Sequence, residues 1–158
     1  MNAATEGAIE AKLKALGLIL PPVPAPVANY VPFVITGSLV FLSGQGPRRP
    51  EGGMFTGKVG GTVSVDEAYQ HARLVGVQLL SALRDAIGNL DRVTRIVKLL
   101  GMVNGVPDFK QHPKVINGCS DLFVEVFEAR GKHARSAVGM GSLPDDITVE
   151  IEAVVEFA

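Results

Sequence analysis

The chain has 158 residues and a formal net charge of −1, enough for one domain with a substantial core and too few for two. With no run of Lys or Arg along one face, that balance gives no electrostatic signature of a nucleic-acid or anionic-membrane partner. The single cysteine, Cys119, excludes an internal disulfide framework and suits a reducing compartment, and the longest apolar candidate for a membrane span, 16–28, contains four prolines. Glu6 and Glu10 interrupt the basic-then-apolar order of a signal peptide, so a cytoplasmic protein is expected.

In chain order, Ile9, Leu13 and Leu16 recur at helical spacing and predict a short amphipathic helix over 5–16. Pro21, Pro22, Pro24 and Pro26 then enforce an extended arm, and a boundary at 29/30 separates this N-terminal extension from a domain over 30–158. Two strands are expected at 31–35 and 39–42, around Thr36-Gly37-Ser38. Residues 44–63 are rich in Gly, Pro and charge and read as a long loop. Ser64-Val65-Asp66-Glu67 is a capping-box pattern opening a helix. Its stripe runs Ala68, Ala72, Val75, Leu79, Leu83 and Ala86, and Gly88 ends it. Residues 93–103 read as a strand buried on both faces. A second long helix is expected over 115–129, with Val115, Leu122, Phe123, Val126 and Phe127 inward and Gly131 as its stop.

The C-terminal stretch carries the most chemistry. His133-Ala134-Arg135-Ser136-Ala137-Val138 and 147–157 both alternate, with turn chemistry in Leu143-Pro144-Asp145-Asp146. On the second strand, Ile147, Val149, Ile151, Ala153, Val155 and Phe157 share one face, and Thr148, Glu150, Glu152 and Glu156 the other. Folded as a hairpin, the segment sets Arg135 opposite a residue between about 150 and 154. Arginine binds a planar carboxylate in bidentate fashion, and a glutamate can orient or deprotonate water. A cross-strand salt bridge on a solvated face is the alternative. The resulting order, ββ-α-β-α-ββ, is an α+β domain with two long helices on one face of a mixed sheet. Apolar Val40, Leu42, Val97 and Leu99 imply that the other face is covered by a second subunit.

Two separated motifs resemble one family. Tyr30, with Gly37-Ser38-Leu39-Val40-Phe41-Leu42-Ser43-Gly44-Gln45, is similar to the N-terminal signature of the RidA/YjgF family. Ala134-Arg135-Ser136, Leu143-Pro144 and Val149-Glu150-Ile151-Glu152-Ala153 resemble its C-terminal signature. The resemblance implies a chorismate-mutase-like fold assembled as a homotrimer with clefts between subunits. It also implies hydrolytic deamination of 2-aminoacrylate-type enamines and imines to 2-oxo acids and ammonia, with neither metal nor organic cofactor. By that resemblance Arg135 clamps the substrate carboxylate and Glu150 handles water and protons. Tyr30, Gly44 and Asn117 complete the substrate site. Non-catalytic binding of a small carboxylate, and endoribonuclease or translation-inhibiting activity, are the other functions the resemblance brings.

Several residues depart from the pattern and mark a divergent subfamily. Ala137 stands where the family often has Cys, His133 where proline is common, and Pro32-Phe33 where residues are often smaller or polar. Glu152, on the same strand face as Glu150, is the alternative carboxylate. Tyr30 can instead pack at a subunit contact, Gly44 end a strand or form a bulge, and Asn117 cap its helix. Cys119 reads as a small buried hydrophobe, and Arg48-Arg49 as a solvated pair. His71, His112 and His133 lack metal-ligand spacing. Gly44-Gln45-Gly46 is not a phosphate loop, since no helix or Gly-Lys-Ser/Thr follows it.

Overall fold

The computed structural model describes residues 7–25 and 29–158. Thr5, Glu6 and Pro26, which belong to the predicted N-terminal helix and arm, lie outside the described residues. The elements are α1 (Ala8–Ala15), β1 (Phe33–Thr36), β2 (Leu39–Gln45), α2 (Val65–Ile87), β3 (Val93–Val103), α3 (His112–Phe127), β4 (Ala134–Gly139) and β5 (Val149–Phe157).

Local chemistry explains the helices. Ser64 Oγ accepts from the Glu67 N–H while the Glu67 carboxylate accepts from the Ser64 N–H, so the capping box is complete. Gly88, at φ 79°, closes α2 in a conformation that suits glycine. α3 begins earlier than the stripe predicts, at His112, because Pro113 is tolerated in a first turn where its missing N–H has no helical partner. It ends at Phe127, and a single 3-10 turn, Glu128–Gly131, leads to β4. α1 has no cap of its own; the Asp91 carboxylate accepts from the Ala8 and Ile9 N–H groups at 2.9 and 2.7 Å. Ile9 and Leu13 thereby join the same buried core as the sheet, whereas Leu16 is exposed.

α2 and α3 lie together on one face of the sheet. Their closest approach needs Gly118, where a Cβ would collide with the Tyr69 carbonyl. Across the same contact, Tyr69 Oη donates to Asp121 at 2.9 Å and Arg73 makes a forked pair with Glu125 at 2.7 and 3.2 Å. Val40, Leu42, Ile96, Leu99, Val149, Ile151 and Val155 are buried beneath the helices.

The strand order is β1-β2-β5-β3-β4. β3 and β4 run parallel, and the other neighbours are antiparallel. The predicted C-terminal hairpin therefore does not form. β3 lies between β4 and β5, aligning with β4 from Lys98↔Ala134 to Val103↔Gly139 and with β5 from Val93↔Phe157 to Val103↔Val149. Alternation reports which way side chains face, and the burial of β5 does alternate, but it does not name a strand's partner. β3 also differs from expectation. Val93, Ile96, Leu99 and Val103 are buried, while Val97, Leu100 and Met102 are only half-buried in the single chain. The strand is buried on its helix-facing side and open on the other.

That open face mixes exposed apolar side chains with Lys98, Glu150 and Glu152, and of the four residues expected on it Val40, Leu42 and Leu99 lie on the helix side instead. The rows Val138–Met102–Glu150 and Ser136–Leu100–Glu152 cross it. A third row, Ala134–Lys98–Val154–Phe41–Val34, also lies on it. Val34, Phe41 and Val138 are exposed. The loop between β2 and α2 is pinned rather than free. Gly57 N–H donates to the Asp146 carbonyl at 2.8 Å and Val59 N–H to that of Asn104 at 2.8 Å. The fully buried Asn104 side chain accepts from Lys58 Nζ and donates to Asp146 Oδ1.

Candidate functional site

The five residues expected at the site separate into two groups. Tyr30, Gly44 and Glu150 form the first. Ser43 ties them: its N–H donates to the Pro32 carbonyl at 3.0 Å and its Oγ to the Val31 carbonyl at 2.6 Å. The segment after the half-exposed Tyr30 is thereby fastened beside Gly44. β2 and β5 lose register between Leu42 and Gln45, a bulge that holds Gly44 against Glu150. A Cβ at Gly44 would collide with the Glu150 carboxylate and meet its Cδ at 3.1 Å. Any larger residue here would push the Glu150 carboxylate out of its place.

Glu150 is half-buried on the open sheet face. Burial, and then the neighbouring Glu152 charge, push its carboxyl above the ordinary range. A glutamate so raised is a better proton acceptor than an ordinary carboxylate. Glu152, next but one along the strand, is exposed.

Arg135 and Asn117 form the second group. Arg135 aligns with Leu99, which pairs with Ala153, and both are buried under the helices. Its guanidinium reaches α3, where Nη1 donates to Ser120 Oγ at 3.0 Å and Nη2 to the Pro113 carbonyl at 3.3 Å. Pro113, Asn117 and Ser120 fall at i, i+4 and i+7 on α3, one helical stripe. Asn117 is half-buried in the second turn and does not cap the helix; the N-cap position is Gln111. Among the described residues no carboxylate pairs with Arg135, so its charge is held by neutral oxygens alone.

The sheet keeps the groups apart. Glu150 pairs with Met102, three residues from Leu99 on β3, so Arg135 and Glu150 face opposite sides. The expected meeting of Arg135 with a carboxylate on the adjacent strand does not occur, because β3 separates the two strands. β4 is an edge strand, and Arg135 lies at that edge.

The other polar residues of interest sit elsewhere. Cys119 is fully buried, and burial pushes its thiol far above the usual range, which suits a packing role. Arg49 is not the solvated loop residue expected: its guanidinium lies 4.7 Å from the Phe55 ring centroid. Phe55 in turn stacks on His71 at 4.3 Å. His133 is half-buried in hydrogen bonds to Ser120 and Gly131. Sequence reading missed Ser120, which carries no motif; only its helical spacing from Asn117 marks it.

Residues 10–150 match the family described as "YjgF/chorismate mutase-like, putative endoribonuclease". Protein TCP17 of Trypanosoma cruzi is 43% identical over 99% of this chain and 98% of its own length. The 2-iminobutanoate/2-iminopropanoate deaminase of Salmonella typhimurium is 34% identical over 83% of this chain and 89% of its own. Among solved structures, Atu1372 from Agrobacterium tumefaciens, of unknown function, has a TM-score of 0.87 and 45% identity, covering 95% of this chain and 94% of its own. E. coli TdcF with bound serine has a TM-score of 0.60 and 26% identity, covering 86% of this chain and 94% of its own. With a sheet, helices and both signature segments in agreement, the chain belongs to the YjgF family and has its chorismate-mutase-like fold.

Proposed function

We propose that this protein hydrolyses small 2-imino acids, and the 2-aminoacrylate-type enamines that tautomerise to them, in a cleft shared between copies of the chain in a homotrimer. The observation that carries this reading is the Arg135 guanidinium, held by two neutral oxygens with no carboxylate partner among the described residues. Such an arginine is oriented and still able to receive a planar carboxylate. The deaminase name of a relative 34% identical supports the reaction, and serine bound to a structural relative supports a small amino-acid-like ligand.

The two groups on opposite sheet faces define what each half of the cleft contributes. Arg135 of one copy, with Asn117 near it, binds the substrate carboxylate and fixes the electrophilic carbon. Glu150 of a neighbouring copy holds water at that carbon, with Gly44 leaving room for close approach and Tyr30 closing the cleft. As the water oxygen bonds to carbon, the C=N π pair moves to nitrogen and Glu150 takes a water proton. Glu150 returns that proton to nitrogen, giving the neutral carbinolamine; it then takes the hydroxyl proton as the C=O forms and delivers it to the departing nitrogen as the C–N bond breaks, so both water protons end on ammonia and the 2-oxo acid is released.

The test is ammonia release from 2-aminoacrylate generated in place by a serine dehydratase. Wild type should accelerate it over the spontaneous rate, and Arg135→Ala and Glu150→Gln should not. Binding of 2-oxobutanoate without acceleration by wild type would make the protein a carboxylate-binding module instead.

A further inference from the structure

The contacts of Arg135 extend into a chain of hydrogen bonds. Arg135 Nη1 lies 3.0 Å from Ser120 Oγ, Ser120 Oγ lies 2.9 Å from His133 Nε2, and His133 Nδ1 lies 2.6 Å from the Gly131 carbonyl oxygen. We infer that Ser120 and His133 are positioning residues for the Arg135 guanidinium, acting through one directed hydrogen-bond chain. This rests on the role proposed for Arg135.

The direction follows from what each atom can do. A carbonyl oxygen only accepts, so His133 Nδ1 carries a proton. In a neutral ring Nε2 then only accepts, so the Ser120 hydroxyl donates to it. That leaves the Ser120 oxygen lone pairs facing Arg135, whose Nη1 only donates. Each group has one consistent role, and the neutral ring fixes the hydroxyl rotor that a lone serine would leave free. Burial, and the Arg135 charge, both favour the neutral ring over imidazolium, against the opposing Gly131 hydrogen bond. The Phe123 ring meets His133 edge-on, with centroids 6.3 Å apart, and holds its plane.

The alternative anchor is weaker. Without Ser120, only the longer 3.3 Å bond to the Pro113 carbonyl ties the guanidinium to α3. A proline at position 133, common in the family by the resemblance above, has no side-chain polar atom to direct Ser120. The chain is therefore this protein's own means of setting the angle at which Arg135 meets a carboxylate.

The experiment titrates 2-oxobutanoate into the assembled protein by calorimetry. The variants are Ser120→Ala, Ser120→Thr, His133→Ala, the Ser120→Ala/His133→Ala double variant, and Arg135→Ala with and without Ser120→Ala. Ser120→Ala and His133→Ala should each weaken binding about threefold to tenfold, and Ser120→Thr should restore it. The double variant should be no weaker than the worse single one, because both act through one chain. In the Arg135→Ala background Ser120→Ala should have no further effect. For turnover of 2-aminoacrylate, KM should rise and kcat hold, since Glu150 belongs to the other group. Nitrogen NMR of His133 supplies a readout independent of variant folding: the proton should sit on Nδ1. If Arg135→Ala weakens binding but Ser120→Ala and His133→Ala bind like wild type, the positioning role is wrong and the clamp stands. If Arg135→Ala binds like wild type, both are wrong. A His133 ring protonated on Nε2 also overturns the directed chain.

Discussion

Replacing Glu150 with Gln tests the proposed chemistry most directly, because the amide keeps the size and most hydrogen bonding of the carboxyl but cannot accept a proton from water. A positioned acid–base group contributes about 10²–10⁴-fold, so ammonia release should fall by that factor, about 2.7–5.4 kcal/mol in the barrier. Binding of 2-oxobutanoate should persist, since Arg135 is untouched. The environment of Glu150 adds a signature that a purely structural glutamate would not give. Its carboxyl is raised by burial first and by Glu152 second. Activity should therefore rise with pH through a limb above the ordinary value of 4.5. Glu152→Gln removes the second cause, so it should move that limb to lower pH and leave the plateau rate near wild type. The assay is ammonia release coupled to a dehydratase across pH. Near-normal release from Glu150→Gln with loss in Glu152→Gln would reverse the assignment, and normal release from both would remove carboxylate catalysis from β5.

Stability should move the opposite way. A carboxyl with a raised folded pKa binds its proton more tightly folded than unfolded. Its contribution is complete below the unfolded value and is lost as pH rises through the raised folded one. At pH 7 the ionised Glu150 is a half-buried charge, which the neutral amide lacks. Glu150→Gln should thus melt at a higher Tm than wild type at pH 7, with the difference closing on acidification. An equal or lower Tm at pH 7 would contradict the burial assigned to this carboxyl.

Further outcomes are expected from assembly and from the two site groups. Light scattering at micromolar concentration should give about three times the chain mass, as the resemblance implies, and a stable monomer would remove the proposed shared cleft. Arg135→Ala should weaken 2-oxobutanoate binding about tenfold to a hundredfold, with Arg135→Lys between it and wild type because lysine lacks the fork; calorimetry decides. Gly44→Ala should displace the Glu150 carboxylate from its place and lower turnover while 2-oxobutanoate binding holds, a pattern steady-state kinetics and calorimetry separate.

Much of this fold was legible because its signals are local. Ser64 and Glu67 satisfy each other's backbone donors whatever lies beyond them, and Gly88 closes α2 for its own conformational reason. The facing of β5 was legible too, since Val149, Ile151, Ala153 and Val155 alternate into the core. What failed was adjacency. Leu143-Pro144-Asp145-Asp146 is turn chemistry, and Pro144–Asp146 does form a 3-10 turn, but the chain leaving β4 passes beyond β3 instead of doubling back. β3 can pair on both edges, and nothing in a period of two says which neighbours it takes. The burial of α1 was also hidden, because its cap comes from Asp91, far along the chain. Ser120 escaped notice for the same reason: its role exists only once β4 lies beside α3.

The failed hairpin changes the logic of the site. Had β4 and β5 paired, Arg135 and a glutamate could have neutralised each other as an ordinary cross-strand ion pair. Separated by β3 and turned to opposite faces, neither forms an ion pair among the described residues. Arg135 is directed by neutral oxygens; Glu150 is made less acidic by burial and by the neighbouring Glu152 carboxylate. A substrate with a carboxylate at one end and a hydrolysable carbon beside it needs those two groups unpaired and at different walls of one cleft. In the proposed cleft, a single copy supplies both walls but on opposite sides of its own sheet, so a second copy is needed to bring them face to face. Assembly, on this reading, is what creates the site, and loss of the trimer should abolish ammonia release even where every residue of the chain is intact.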